Sequence, residues 1–472
     1  MGNQQVMSNS VQAPALDDAA VAQFKSTLGG QLLQPADDGY EQARRVYNGM
    51  IDKRPALIAR CADVADVIAS VNFAREQKLL LAVRGGGHNG PGLGTCEGGL
   101  VIDLSPMKGI RVDPAERTVR AGGGCTWGEV DHATHVFGLA TPSGIISSTG
   151  VGGLTLGGGV GYLSRAYGLS IDNLLGVDMV LADGSFVIAS AQQNQDLFWA
   201  VRGGGNFGVV TSFLFKLNPV NTVYGGPMIW PLEEATDLFK FWQELMLTAP
   251  DDMYGFFAFL TVPPGPPFPE AWHNKKACAV VWCYTGPLEQ AEEKFKPIRA
   301  FGHPAIDFAG PIPWPALQGM FTPLYPPGLQ WYWKADFFGK LSAEAIALHV
   351  KHGSQLPTGL STMHIYPVNG TAGRVGKADT AFNFRHADFA QVIVGVDPDP
   401  ANNERTIQWA SDYARALHPH SLGGAYVNMI MDEGQEQVKA AYGDNYARLA
   451  KIKARYDPNN LFRVNQNIRP QA

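Results

Sequence analysis

One histidine follows three consecutive glycines in Val83-Arg84-Gly85-Gly86-Gly87-His88-Asn89, and Gly90, Pro91, Gly92 and Gly94 come directly after. Glycines let a backbone approach a ligand closely and present bare N–H groups to it. An imidazole set into such a cradle is a nucleophilic, titratable ring held against whatever the cradle binds. The pentapeptide Val-Arg-Gly-Gly-Gly returns at 201–205, followed there by Asn206. Both copies match G-x-G-x-x-G, through Gly85, Gly87 and Gly90 and through Gly203, Gly205 and Gly208. A dinucleotide-binding βαβ unit needs a helix to open at the glycines. Pro91 and Gly92 follow the first copy and the strand-like Val209–Phe215 follows the second, which rejects that reading. No GxxxxGK[ST], HExxH or GxSxG is present.

A third cluster, Gly150-Val151-Gly152-Gly153-Leu154-Thr155-Leu156-Gly157-Gly158-Gly159-Val160-Gly161, is too rich in glycine to expect a stable helix or strand. Apolar residues alternate through it, which predicts an ordered stack of turns against a ligand.

The elements that must position these loops read as an α+β pattern. Strands are expected at Ala56–Arg60, Leu79–Val83, Leu100–Leu104 and Ile110–Val119, the last turning at Asp113-Pro114, and helices at Val64–Gln77 and Thr126–Phe137. Val177–Leu181 and Phe186–Ala189 flank Asp183-Gly184, a hairpin signal. Asp196–Val201 is a helical turn into the second cradle, and Val209–Lys216 is a strand. Near Pro219 the chain becomes richer in aromatics and proline. Tyr254–Val262, Ala277–Tyr284 and Leu360–Tyr366 read as antiparallel strands, with helices at Leu288–Phe295, Ser342–His352 and Asn403–Leu417. Residues 433–454 read as one amphipathic helix stopped at Tyr456-Asp457-Pro458. Residues 1–30 read as a loose tail.

The 472 residues suffice for two or three domains, and the 45% hydrophobic content suits a sizeable core. A net charge of −6 from 37 basic and 43 acidic residues is mild and well mixed, so neither nucleic acid nor a membrane surface is the expected partner. Five cysteines without a CxxC pair argue against a disulfide framework or a zinc site, and no metal is expected. Without a secretory signal or a long apolar run, a cytoplasmic location is the simplest expectation.

The ordered series Arg84–His88, Asp103-Leu104-Ser105, Gly150–Arg165 with Tyr167-Gly168-Leu169, Asp172-Asn173, Asp196–Ala200 and Arg202–Gly208, ending in Tyr456-Asp457-Pro458-Asn459-Asn460-Leu461-Phe462 and Asn465-Gln466-Asn467-Ile468, closely resembles berberine-bridge-enzyme-like flavoproteins of the vanillyl-alcohol oxidase group. The resemblance spans about residues 40–470. It implies a two-lobed FAD-binding domain from 31–218 and 430–472, and a substrate domain from 219–429 with an antiparallel sheet backed by helices. FAD would contact Arg84, Gly85, Gly86, Gly87, His88, Asn89, Ser148, Thr149, Gly150, Gly152, Gly153, Gly157, Gly158, Gly161, Leu163, Asn173, Gly208, Asn465 and Asn467.

In this family the histidine at the position of His88 bonds the flavin 8α carbon, and many members add a cysteinyl bond. Ile146 stands at the cysteine position, which implies a single bond through His88. The family's catalytic tyrosines correspond to Val160 and Met429, neither of which takes a proton. His364 aligns with a family Glu or Gln position and is the first candidate base, with a base-free route through a substrate that binds already deprotonated as the alternative. Tyr366, on the same strand face, is the second candidate, and Tyr426 and Asn428 would contribute from an adjoining strand. The aromatic run Trp331–Phe338 is expected in the pocket wall. The resemblance implies hydride transfer from a small alcohol, amine or secondary metabolite to flavin N5, with O2 reduced to H2O2; Thr149, at the family's oxygen-access position, favours an oxidase. A dehydrogenase of the same fold and a flavin-retaining protein without turnover are the alternatives. Oligomeric state is not legible.

Overall fold

The computed structural model describes residues 16–471 and is a mixed α+β protein. The part of the expected tail before residue 16 lies outside the described residues. The remainder of that tail is not loose. Asp18–Thr27 is a helix capped by the Asp17 side chain, with Val21 and Phe24 buried. Phe24 stacks on Phe73 of the helix Val64–Glu76, with ring centroids 4.3 Å apart.

Two small sheets form the lobes that carry the glycine loops. In the first, Gln31–Leu33, Leu57–Arg60, Leu100–Asp103 and Leu81–Arg84 lie side by side in that order. The last three strands are parallel and nearly wholly buried apolar runs, as parallel strands covered on both faces must be. In the second, Ile110–Asp113, Thr118–Gly122, Val209–Lys216, Leu174–Val180 and Phe186–Ser190 are all antiparallel. The hairpin expected at Asp183-Gly184 is present, with Gly184 at φ 85°.

The third sheet is the largest. Ile306–Asp307, Thr222–Pro231, Lys276–Tyr284, Met253–Thr261, Thr362–Pro367, Phe389–Asp397 and Gln330–Phe338 follow one another, and Gly310–Pro313 also pairs with Thr222–Pro231. One face packs on the helices Ala235–Thr248, Leu288–Ala300, Ala343–Gly353 and Asn403–Leu417 around Trp230, Trp242, Phe257, Trp282 and Phe389. The other face carries Phe256, Trp331, Tyr366, Val392 and Val394 towards Tyr162, Leu163 and Tyr426.

Local readings fail where tertiary contacts override them. Val151–Leu156 is a helix despite its two glycines, because the chain is tied down ahead of it: Val151 N–H donates to the Cys125 carbonyl and Gly150 bridges Thr126. The expected helix 433–454 is two helices, Gln435–Tyr442 and Tyr446–Tyr456, broken at Gly443, whose φ is 50°. Val427–Met429 is a 3-10 turn, so Tyr426 and Asn428 come from a turn and not from a strand. The apolar strands Thr222–Pro231 and Phe389–Asp397 escaped the periodicity reading because both of their faces are buried. Among the described residues no helix is long and apolar enough to cross a membrane.

Buried polar groups join the large sheet's layer to the two lobes. Arg385 pairs with Asp172 at 2.7 Å, both nearly buried. Arg165 reaches the carbonyls of Met246 and Ala249 at the C-terminal end of the helix Ala235–Thr248, where a cation is favoured, and that of Met253 at the start of the next strand. Trp314 Nε1 donates to Asp131 Oδ1 at 2.8 Å, while the buried Asp131 Oδ2 has no partner among the described residues. Burial pushes the Asp131 carboxyl up to about 7.

This carboxyl has a measurable linkage. Between an unfolded value near 4 and a folded value of about 7 the folded state binds more protons, so stability falls as pH rises through that window. Asp131→Asn keeps the acceptor for Trp314 and removes the titration. Relative to wild type, the variant should gain stability from pH 4 to pH 8, by at most about 4 kcal/mol. Urea unfolding of both proteins at the two pH values checks this; parallel pH profiles would refute it.

Candidate functional site

Strand Leu81–Arg84 delivers the first cradle with its last residue fixed. The Arg84 guanidinium meets Asp103 on the neighbouring strand at 2.8 and 3.3 Å and also donates to the Ala43 carbonyl. The chain then passes against the loop preceding Val151. A Cβ on Gly86 would lie 2.3 Å from Gly150 N, and one on Gly150 would lie 2.3 Å from Gly86 N, so this backbone contact requires glycine on both sides. The N–H groups of Gly86, Gly87, His88 and Asn89 donate to no acceptor among the described residues.

His88 is fixed from two sides. Its ring stacks on Tyr47 at 3.8 Å, and its Nε2 is 3.1 Å from Ser148 Oγ. Burial lowers its pKa to about 4, against the opposing pull of the Ser148 hydrogen bond. The ring is therefore neutral near pH 7, and one nitrogen keeps a free lone pair. Tyr47 is itself held by its hydroxyl, which donates to the Tyr325 carbonyl at 2.6 Å.

The glycine cluster is clamped from the far end of the chain. Asn428 Oδ1 occupies the space of the missing Gly157 side chain, 2.1 Å from where a Cβ would lie. Asn428 Nδ2 donates to the Leu154 carbonyl and to the Tyr426 hydroxyl oxygen at 3.0 and 2.8 Å. The same oxygen accepts from Gly159 N and Val160 N at 2.9 and 3.3 Å. These three bonds favour the phenolate, but burial outweighs them and the Tyr426 pKa is raised. Tyr426 and Asn428 thus hold the segment in place and both line the cavity.

Strands of the large sheet close the other end. By period two, Trp331 and Trp333 of Gln330–Phe338 face the cavity, whereas Tyr332 packs into the opposite core. The expected aromatic wall is therefore alternate residues of that run. Thr362, His364 and Tyr366 share the lining face, with Val392 and Val394 from the next strand. His364 Nδ1 lies 2.7 Å from the Tyr366 hydroxyl. Burial holds His364 down to about 4 and Tyr366 well above the ordinary phenol value.

The second cradle closes the site from the side of Tyr446–Tyr456. Gly204, Gly205, Asn206 and Gly208 line the cavity. Asn206 is spent within the protein: Nδ2 donates to the Gly204 carbonyl and Oδ1 accepts from Ile468 N. Its carbonyl accepts from Lys453 Nζ at 2.5 Å. Lys453 and Asp457 form a wholly buried pair at 2.8 Å, and the Asp457 carboxylate accepts from the N–H groups of Leu461 and Phe462.

One continuous cavity thus brings together Arg84, Gly85, Gly86, Gly87, His88, Asn89, Thr149, Gly150, Gly152, Gly153, Gly157, Gly208, Asn465, His364, Tyr366, Tyr426 and Asn428. Ser148 acts through His88. Gly158, Gly161, Leu163, Asn173 and Asn467 are not on the wall. The Asn173 side chain donates to the Tyr167 and Leu169 carbonyls and accepts from Asn218. Tyr47, Tyr325 and Thr362 line the cavity without having been singled out, and nothing in their spacing marks them. The wall combines free N–H groups, a glycine floor and the unpartnered acceptor Asn465 Oδ1 with aromatic rings. A dinucleotide bearing a flat ring system, such as FAD, fits that lining. Among the described residues no cluster of His, Cys, Asp and Glu would hold a metal ion.

Comparisons with known proteins agree with this geometry. Residues 55–190 match the FAD binding domain family and residues 425–469 match the berberine and berberine-like family. An FAD-linked oxidoreductase of Dictyostelium discoideum is 32% identical over 463 residues, 95% of this chain and 97% of the relative. The (R)-6-hydroxynicotine oxidase of Paenarthrobacter nicotinovorans is 29% identical over 466 residues, 94% of this chain and 98% of that one. The crystal structure of 6-hydroxy-D-nicotine oxidase from Arthrobacter nicotinovorans superposes with a TM-score of 0.84 at 27% identity, covering 94% and 98% of the two chains. Glucooligosaccharide oxidase from Acremonium strictum, described with 6-S-cysteinyl, 8α-N1-histidyl FAD, shares the fold at TM-score 0.84 and 22% identity over 96% of this chain and all of its own.

Two glycines should respond oppositely to alanine. Gly86→Ala, with no room against Gly150, should cost at least about 2 kcal/mol. Gly153→Ala, inside the helix Val151–Leu156 with nothing within 4 Å of the new Cβ, should be neutral or gain up to about 1 kcal/mol. Chemical unfolding of the ligand-free protein checks the pair, and equal effects would refute the assignment.

Proposed function

As the chain belongs to the berberine-bridge-enzyme-like family of FAD-linked oxidoreductases, we propose that it is an oxidase that holds FAD through one covalent bond at His88 and oxidises a small organic molecule at the aromatic end of the cavity. The observation that carries the reading is His88 itself: neutral, buried, stacked on Tyr47, and engaged by Ser148 at Nε2 so that Nδ1 remains for the bond. A neutral imidazole nitrogen is the form that attacks an electrophilic carbon. FAD, when bound, supplies the redox chemistry: acceptance of a hydride from substrate and its passage to O2 as hydrogen peroxide.

Attachment by a single bond is supported by the cysteines. Cys61, Cys96, Cys125, Cys278 and Cys283 are all buried, and none is on the cavity wall. Burial pushes the Cys125 thiol up to about 11, away from the reactive thiolate. Ile146 faces the cavity where a second tether would start. The chain's residues divide the remaining work. Gly86–Asn89 offer backbone donors to the dinucleotide, Tyr426 and Asn428 fix the floor, and the rings of Tyr47, Trp331 and Trp333 exclude water from the reacting face. Thr149, on the wall beside Gly150, stands at the family's oxygen-access position and supports the oxidase reading.

Acid-precipitated wild-type protein should stay yellow. His88→Ala should release its flavin under the same treatment, and Cys125→Ala should not; retention of acid-stable flavin by His88→Ala overturns the tether. Reduced protein mixed with air-saturated buffer in a stopped-flow instrument should reoxidise fast enough to sustain turnover. Reoxidation too slow for that identifies a dehydrogenase of the same fold instead.

A further inference from the structure

We propose that Tyr366 locks His364 as a hydrogen-bond donor, with Nε2–H aimed into the cavity, and that the pair selects an uncharged planar substrate carrying an oxygen acceptor. The inference rests on the reading above that the aromatic end of the cavity receives the substrate.

The Tyr366 hydroxyl hydrogen has one acceptor within reach among the described residues, His364 Nδ1 at 2.7 Å. If Nδ1 carried the proton instead, it would donate to the phenol oxygen and strand the phenol's own hydrogen without an acceptor. Each tautomer leaves one donor without a protein partner. With the proton on Nε2 it is an imidazole N–H on the half-buried His364 at the cavity wall, open to a ligand. With the proton on Nδ1 it is the phenol hydrogen of the more deeply buried Tyr366, where an unmet donor costs about 1–3 kcal/mol. The favoured arrangement is Tyr366 O–H donating to Nδ1, which puts the imidazole proton on Nε2. Nε2 takes no partner from the described residues, and His364 lies on the cavity wall. Phe256 packs at 5.1 Å from the imidazole and helps to fix its plane. Tyr366 is therefore a positioning residue, and His364 is the group that meets substrate as a donor.

The rest of the wall narrows the class. Among its described residues Arg84 is the sole permanently charged side chain, and it is spent on Asp103 and the Ala43 carbonyl. An ammonium group entering this end would find no carboxylate, and it would face an N–H instead of a lone pair. A carbonyl or hydroxyl oxygen would accept from Nε2–H while its ring lay among Tyr47, Trp331 and Trp333. The proton released during oxidation then leaves by a route other than His364.

The test reads the tautomer directly, without turnover. Long-range proton–nitrogen spectra of histidine-labelled protein, with His364 assigned by its loss in His364→Gln, should show the Nε2–H form in wild type. Tyr366→Phe should raise the Nδ1–H population severalfold. An Nδ1–H ring in wild type, or a tautomer ratio indifferent to Tyr366→Phe, overturns the lock. If the phenylalanine variant does not fold, the wild-type spectrum alone decides. Binding supplies the second arm: benzaldehyde should bind at least tenfold tighter than benzylammonium, read by perturbation of the protein's fluorescence, and should lose tenfold in His364→Leu. Equal or tighter binding of benzylammonium, no loss in His364→Leu, or no binding of benzaldehyde overturns the substrate class. The tautomer result stands apart from flavin attachment, so failure of the oxidase reading and failure of the lock are distinguishable.

Discussion

The backbone contact between Gly86 and Gly150 is the constraint on which the site depends. Two loops from different sheets meet there with no side chain between them, and each glycine is required by the other's nitrogen. The contact brings Ser148 to His88, aligns the unpartnered N–H groups of Gly86–Asn89 along the cavity, and starts the helix Val151–Leu156 at its floor. A Cβ on either residue would meet the other's backbone nitrogen at 2.3 Å and force the loops apart.

Around this contact the protein spends buried polar groups on closure. Arg84–Asp103 fixes where the first loop leaves its strand, Arg385–Asp172 and Trp314–Asp131 join the large sheet's layer to the lobes, and Lys453–Asp457 joins the second cradle to the later segment. Breaking one partner of a buried ion pair such as Arg84–Asp103 leaves an uncompensated charge, a cost of about 3–5 kcal/mol. The reacting end of the cavity, by contrast, is built from aromatic rings and neutral hydrogen-bonding groups.

The legible parts of the sequence were those with a local cause. Three glycines before His88, the Asp183-Gly184 hairpin and the apolar run read as a strand at Tyr254–Val262 each act within a few residues; the hairpin is present and the strand runs from Met253 to Thr261. The parts set by distant contacts were not legible. The helix Val151–Leu156 defies its composition because Cys125 and Thr126 hold its entry, and the bond from Asn218 to Asn173, which lies off the cavity wall, joins positions 45 apart. Tyr47 reaches His88 from a loop about forty residues away in the chain, and no periodicity in one sequence encodes that meeting. Strands buried on both faces, such as Phe389–Asp397, carry no alternation to detect.

The bond from Lys453 Nζ to the Asn206 carbonyl spans 247 positions of chain. A ribosome making this protein delivers the first cradle, the glycine cluster and all strands of the large sheet before Lys453 and Asp457 emerge. Until then the second cradle lacks its fastening and the cavity is open on that side. The wall of the cavity is thus complete only in the full-length chain, because its last helix supplies the fastening of a loop made halfway along it.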